Sequence, residues 1–360
     1  MTTETAEHVR RAEEPESPAL RIVEPPASPD AWPSEVDTFL RDLAGPSWIL
    51  VPGRDRARAR IVSTLLHGNE PSGVRAIHAF LCSGEMPAVD TVFFIASVDA
   101  ALEPPGFAHR MLYGRRDLNR CFFPPFQGRE GALAREVLGR IRDLAPEALV
   151  DLHNTTGHTP AYGVGPKSDP ARLALTRFFA ARYVESDLRL GALIEAVADE
   201  TTSLVVECGM TGDAEPDRIA REGLGRFLEA ETLFPTDPAE KPEDAITVVA
   251  SPVRVCLQPG LTLRYGEACE PGADLTLDAA LDRHNFEPIA PGASIGWVPA
   301  EGAWPFVATR ADGAEVSRDL FELRGGRVEA RTDFVPIMMT TDPEIAVQDC
   351  IFYAAVPKKL

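Results

Sequence analysis

Three apolar runs in this chain end in side chains able to hold a metal or carry a proton. Leu65-Leu66 leads into His67-Gly68-Asn69-Glu70, Val150-Asp151-Leu152 into His153-Asn154, and Leu204-Val205-Val206 into Glu207-Cys208-Gly209. An imidazole and a carboxylate in HxxE spacing can reach one ion from a tight loop. A second imidazole makes a two-histidine, one-carboxylate set with a fourth position open to water, a recurrent catalytic zinc arrangement. Such an ion lowers the pKa of its water to roughly 7 and polarises a carbonyl. Glu207, if it is not a ligand, can accept the water proton and deliver it to a leaving amine. Each stretch alone is a weak signal. HxxE is common, a histidine at a strand end is often a hydrogen-bonded core residue, and Glu207 could partner a helix N-terminus. Occurrence at three consecutive strand ends is harder to reach by accident, and strand C-termini are where open α/β sheets place ligands.

A fourth stretch, Arg110 to Arg120, carries Arg110, Arg115, Arg116 and Arg120 around Asp117-Leu118-Asn119. In so acidic a chain this is a local positive site suited to a carboxylate or a developing oxyanion; a solvated basic loop is the plainer alternative. Arg54, Arg56, Arg58 and Arg60 recur with a period of two, that of a strand's solvent face, and are given no catalytic role. His8, His78, His158 and His284 have no partner motif, whereas His109 adjoins the arginine stretch.

The elements that must position these groups follow from apolar periodicity. Strands are expected at Trp48–Val51, Ile61–Leu66, Thr91–Val98, Ala148–Leu152 and Ser203–Val206, several of them continuously apolar as buried strands are. Val74, Ile77 and Leu81 mark one helix, starting near Ser72, and Leu133, Val137, Leu138, Ile141 and Leu144 another. This predicts an α/β domain over 39–240, a mixed, largely parallel sheet flanked by helices. Short strand candidates separated by Pro, Gly and Asp predict a β-rich C-terminal domain over 241–360. Residues 1–38 are rich in Glu, Pro, Ala and Ser and read as a disordered tail, with a short pairing segment at Leu20–Val23. Order is expected from about Val36 onward.

Composition narrows the class. A net charge of −19 repels nucleic acid and anionic membranes. The six cysteines are scattered without CxxC pairs, as in a reduced cytoplasmic protein. The first residues hold no apolar signal region and no run is long enough to span a membrane, so a soluble protein is expected.

Taken in order, His67-Gly68-Asn69-Glu70, Asp117-Leu118-Asn119-Arg120, Asp151-Leu152-His153-Asn154 and Val205-Val206-Glu207-Cys208-Gly209 resemble the succinylglutamate desuccinylase/aspartoacylase family, zinc amidohydrolases with a zinc-carboxypeptidase-like fold. The likeness covers about 50–235, and more loosely the C-terminal part at Asn285–Gly292. It implies one zinc per chain on His67, Glu70 and His153, with Glu207 as general base and acid. It also implies a carboxylate grip by Asn119 and Arg120, with Arg116 and Asn154 as further substrate contacts. The arginine that would polarise the scissile carbonyl is missing from its usual position, where Leu112 stands; Arg110 is assigned in its place, with Arg115 and Arg116 as alternatives. The implied activity is hydrolysis of a linear amide in an N-acyl amino acid, a small-molecule substrate. A zinc carboxypeptidase acting on short peptides and a non-catalytic metal-binding relative are the alternatives. The 83 residues between Glu70 and His153 favour the amidohydrolase over the peptidase. A homo-oligomer stays open. Val197 stands where aspartoacylase-like members carry a side-chain-binding arginine, and no basic residue lies between Gly191 and Glu207. N-acetylaspartate is therefore expected to be a poor substrate unless a loop or the β module supplies a cation.

Overall fold

The computed structural model describes residues 20–234, 246–299 and 302–358; His8 and most of the expected tail lie outside them. Its larger sheet is centred on four parallel strands, β4 (Val89–Ile95), β3 (Asp55–Thr64), β5 (Ala148–Thr155) and β8 (Thr202–Met210), in that order across the sheet. On the β4 side, β2 (Ser47–Val51) pairs antiparallel and β1 (Arg21–Val23) pairs parallel with β2. On the β8 side, β6 (Tyr162–Gly165) pairs antiparallel, followed in parallel by β7 (Arg182–Glu185) and β9 (Thr247–Leu257). β13 (Phe306–Thr309) and β17 (Phe352–Lys358) flank β9, and β16 (Val335–Ile337) pairs with β17. The large sheet therefore continues past residue 240 into strands from near the end of the chain. The smaller sheet has the order β10 (Leu263–Gly266), β11 (Leu275–Asp278), β12 (Ser294–Trp297), β15 (Arg327–Ala330), β14 (Phe321–Arg324). Its residues Leu275, Leu277 and Phe321 share a core with Val255 of β9, Phe306 of β13 and Phe352 of β17 in the large sheet.

Side-chain alternation decides which layer each strand residue joins. Val62, Val150, Leu152, Leu204 and Val206 face a core with α1 (Val36–Leu43), α2 (Ser72–Ser83), α3 (Val98–Leu102), α5 (Pro170–Thr176) and α7 (Ala214–Glu229). Ile61, Leu149 and Val205 face the opposite core, with α4 (Gly128–Leu144) and α6 (Leu193–Val197). Two short helices, α8 (Ser317–Leu320) and α9 (Pro343–Gln348), belong to the C-terminal part.

Three expectations are corrected. The strand expected to run to Val98 stops at Ile95, because Ser97 turns the chain and Val98 begins α3. Arg60 is not on a solvent face. The end of α7 covers it completely, and its guanidinium pairs with Glu147 at 2.6 Å while donating to the carbonyls of Phe227 and Ala230. Arg56 and Arg58 on the same strand do remain partly exposed. Within the described part of the expected tail, β1 and a 3-10 turn at Pro29–Ala31 are ordered, Leu20 is buried, and Trp32 packs edge-on against Phe39.

Candidate metal centre and active site

The end of β3 turns sharply. Leu65 takes φ 54°, a left-handed conformation unfavourable for leucine, and the turn carries His67 across the sheet's C-terminal edge. Gly68 must be glycine. A Cβ there would lie 2.6 Å from that of Ala100 and 2.7 Å from the Ala100 backbone. Gly73 is as constrained: its Cβ would sit 2.1 Å from Thr64 Oγ1, so α2 can lie against β3 and β5 and bring Glu70 back over the strand ends.

His67, Glu70 and His153 converge and are all buried. One ligand atom from each lies within 4.8 Å of the others. His67 Nδ1 is 2.7 Å from one Glu70 oxygen and His153 Nδ1 is 2.6 Å from the other. The outer nitrogens face carboxylates: His153 Nε2 is 2.7 Å from Asp151 and His67 Nε2 is 3.3 Å from Asp117. A carboxylate on the outer nitrogen fixes the ring and its tautomer and leaves the inner nitrogen as a lone-pair donor, as around histidines that ligate metals. The donor set, two imidazoles and one carboxylate, fits a divalent ion such as zinc. Burial would raise the Glu70 carboxyl, but the His67 and His153 imidazoles outweigh it and hold Glu70 below the usual carboxylate range. Burial acts on Asp117 the same way, and His67, Arg110 and Arg120 outweigh it.

Glu207 sits beside His153 in the β5–β8 ladder and opposite Tyr162 in the β8–β6 ladder. All three are buried and line the same cavity. Burial pushes the Glu207 carboxyl up to about 8, with Glu70 and Asp151 acting in the same direction and His153 only partly opposing them. Glu207 Oε2 and the Tyr162 hydroxyl are buried without a hydrogen-bond partner among the described residues. The neighbouring Cys208 points the other way into the core, where burial raises its thiol well above the ordinary range.

The remaining site residues separate. Arg110 lines the cavity and makes two hydrogen bonds to Asp117 Oδ2, at 3.1 and 2.8 Å. Arg120 lines it too. Asn119 is buried there, its Oδ1 accepting from the Leu193 amide at the start of α6. Arg116 turns away. It is not on the cavity wall, and its guanidinium donates to the Gln127 carbonyl. Arg115 faces Glu130 at 3.9 Å. Asn154 reaches the wall, but its amide accepts from Ser72 N and donates to Ser72 Oγ and Gly209 O, tying α2, β5 and β8 together. Val197 is buried in the core; Arg172 of α5 donates to the carbonyl of the next residue, Ala198, while Lys167 from the loop after β6 and Arg189 from the loop after β7 line the cavity. His78 is buried against the Pro33 carbonyl, and His109, His158 and His284 are not on the cavity wall.

Sequence reasoning passes over Asp117, Asp151 and Tyr162 as site residues. The signal for Asp151 is its place two residues before His153 on a strand, hence on the same face.

No protein-family model and no curated protein sequence matches the chain. Solved structures do. A succinylglutamate desuccinylase/aspartoacylase from Rhodobacter sphaeroides is 16% identical with a TM-score of 0.54, over 86% of this chain and 88% of that one. A succinylglutamate desuccinylase from Vibrio parahaemolyticus is 15% identical, TM-score 0.56, over 86% and 84%. The product-bound ectoine utilization protein EutE (DoeB) from Ruegeria pomeroyi is 17% identical, TM-score 0.54, over 87% and 88%. The β3–β5–β8 core, the helices on its two faces and the second sheet together give this chain the fold of the succinylglutamate desuccinylase and aspartoacylase structures.

Proposed function

We propose that the chain is a zinc-dependent amidohydrolase of the succinylglutamate desuccinylase/aspartoacylase family that removes the acyl group from an N-acyl amino acid. The observation that carries this reading is the buried His67–Glu70–His153 cluster with the non-ligand Glu207 beside it in the ladder. Shared fold supports it without deciding the reaction.

A zinc ion held by His67, Glu70 and His153 would supply Lewis acidity toward a carbonyl and acidify water. A hydrogen bond to Asp151 holds the His153 imidazole in the orientation such binding needs, and the Asp117 carboxylate lies 3.3 Å from the outer nitrogen of His67. Glu207 takes the proton of the attacking water and passes it to the departing nitrogen; a carboxyl held above its ordinary range is suited to doing both near neutral pH. Arg110 is placed to stabilise negative charge developing on the carbonyl oxygen, with Asp117 fixing its guanidinium. Arg120, beside Asn119, takes the substrate carboxylate. Burial of the cavity floor strengthens each of these interactions.

The test is metal content and turnover together. Purified protein should hold about one zinc per chain, and chelation should abolish hydrolysis of N-acyl amino acids. Short peptides assayed in parallel address the carboxypeptidase alternative. Protein replete with zinc that hydrolyses neither class would leave the non-catalytic reading.

A further inference from the structure

The cavity of about 440 Å³ reaches well beyond the metal cluster, and the pleat shows in which direction. Residues two apart on a strand share a face, so Val205 lies on the Glu207 side of β8, roughly 7 Å back along the strand. β6 runs alongside in the opposite sense, with Tyr162 opposite Glu207 and Val164 opposite Val205. Val184 of β7 lies next to Val164. All of these line the cavity. The floor is therefore a strip of apolar side chains that starts at the catalytic carboxylate and runs down the sheet, away from the metal. It continues past Val164 to Gly165 and Pro166, both on the cavity wall. Following β6 one or two residues beyond Val164 gives a groove roughly 10 Å long.

Its roof is apolar as well: Leu188 and Leu190 of the loop after β7, then Ala192 and Ile194 at α6. At the far end Lys167 and Arg189 are matched by Asp187 and Asp199, all four exposed. Arg172 there is buried, its guanidinium held by Asp169 and the Ala198 carbonyl. Glu195 also lines the wall there, its carboxylate accepting from the Leu190 and Gly191 amides, so the exposed side chains offer no excess of cations to favour a second carboxylate. What the groove can select is apolar length, since each methylene buried along it is favourable by about 0.8 kcal/mol, roughly a factor of four.

We propose that this groove is an extended substrate subsite that receives a straight apolar arm of hexanoyl to octanoyl length, carried on one side of the scissile amide. This rests on the amidohydrolase reading above. It gives the substrate class as N-acyl amino acids with a long aliphatic acyl group or side chain, rather than N-acetylaspartate.

Two substrate series test it on the zinc-loaded protein: N-acyl alanines from acetyl to octanoyl, and N-acetyl amino acids with straight side chains of increasing length. In one of the series kcat/KM should rise about tenfold or more from shortest to longest. Val164→Phe, and separately Leu188→Trp, should lower the ratio of long-chain to short-chain kcat/KM by about tenfold. Being taken within one variant, this ratio is insensitive to how much of that variant folds. Calorimetric binding to the Glu207→Gln protein should tighten with chain length in the same series. Equal kcat/KM along both series, or a ratio untouched by either substitution, overturns the proposal. Absence of turnover with every substrate at full zinc occupancy overturns instead the functional reading beneath it.

Discussion

At the scale of single residues, the site depends on carboxylates with separate tasks. Glu70 lies between the two imidazoles, Asp151 and Asp117 face their outer nitrogens, and Glu207 has no hydrogen-bond partner on Oε2 among the described residues. Glu207→Gln should keep the fold and the zinc but lose about 10² to 10⁴ in kcat, because an amide cannot shuttle the proton; near-normal kcat would require another base. His67→Ala or His153→Ala should lose the metal, read by elemental analysis of the purified protein. Asp117→Asn should weaken zinc binding by about 10- to 100-fold, measured by competition with a chelator, since His67 loses the charge on its outer nitrogen. Unchanged affinity would mean that Asp117 serves Arg110 alone. The cluster itself was legible in the sequence, because three apolar runs ended in its members. The fate of the arginines was not. Arg110 and Arg116 have the same side chain a few positions apart, and only the path of the loop sends one to Asp117 and the other to the Gln127 carbonyl.

Among elements, legibility follows length and apolar content. β2, β3, β5 and β8 and the helices α2 and α4 fall close to where periodicity puts them. Between Leu152 and Ser203 no element was expected, yet β6, α5, β7 and α6 lie there, four to seven residues each and too short for a period to repeat. They build much of the cavity wall, which is therefore the part of the site least readable from the chain. Arg60 is a second kind of failure, since alternation gives the face of a strand but not what will cover it. Arg60→Ala should destabilise the protein by about 2–4 kcal/mol, because the buried side of the ion pair with Glu147 is lost and the Phe227 and Ala230 carbonyls lose their donor, although Arg58 still faces Glu147; denaturant unfolding measures it. Loss of less than about 1 kcal/mol would show that water reaches the pair. The segment before α1 is also more structural than its composition suggests. Deleting residues 1–35 removes β1, the Trp32–Phe39 contact and the Pro33 carbonyl on His78, and should lower the melting temperature measurably.

In the whole molecule, β9 joins the parts that composition separates. Its first residues pair with β7, its last with β13, and β17 runs along its other edge. Heating should therefore produce one calorimetric transition, with Trp48 in the first half and Trp297 and Trp304 in the second changing fluorescence together; two resolved transitions would contradict this. Among the described residues no helix is long and apolar enough to cross a membrane. The position of β17 has a further consequence, one that concerns synthesis. His67, Glu70 and His153 all lie in the first half of the chain, whereas Cys350 and Tyr353, on the cavity wall, come close to its end. At about 5–20 residues per second, the ribosome delivers the third metal-binding side chain on the order of ten to forty seconds before it delivers that wall. During that interval the growing chain carries His67, Glu70, His153 and the β6-to-α6 part of the wall without the C-terminal residues that complete the cavity. On the zinc reading proposed above, whichever ion is freely exchangeable around the ribosome would meet those groups first, and zinc would have to compete at that stage as well as in the finished protein.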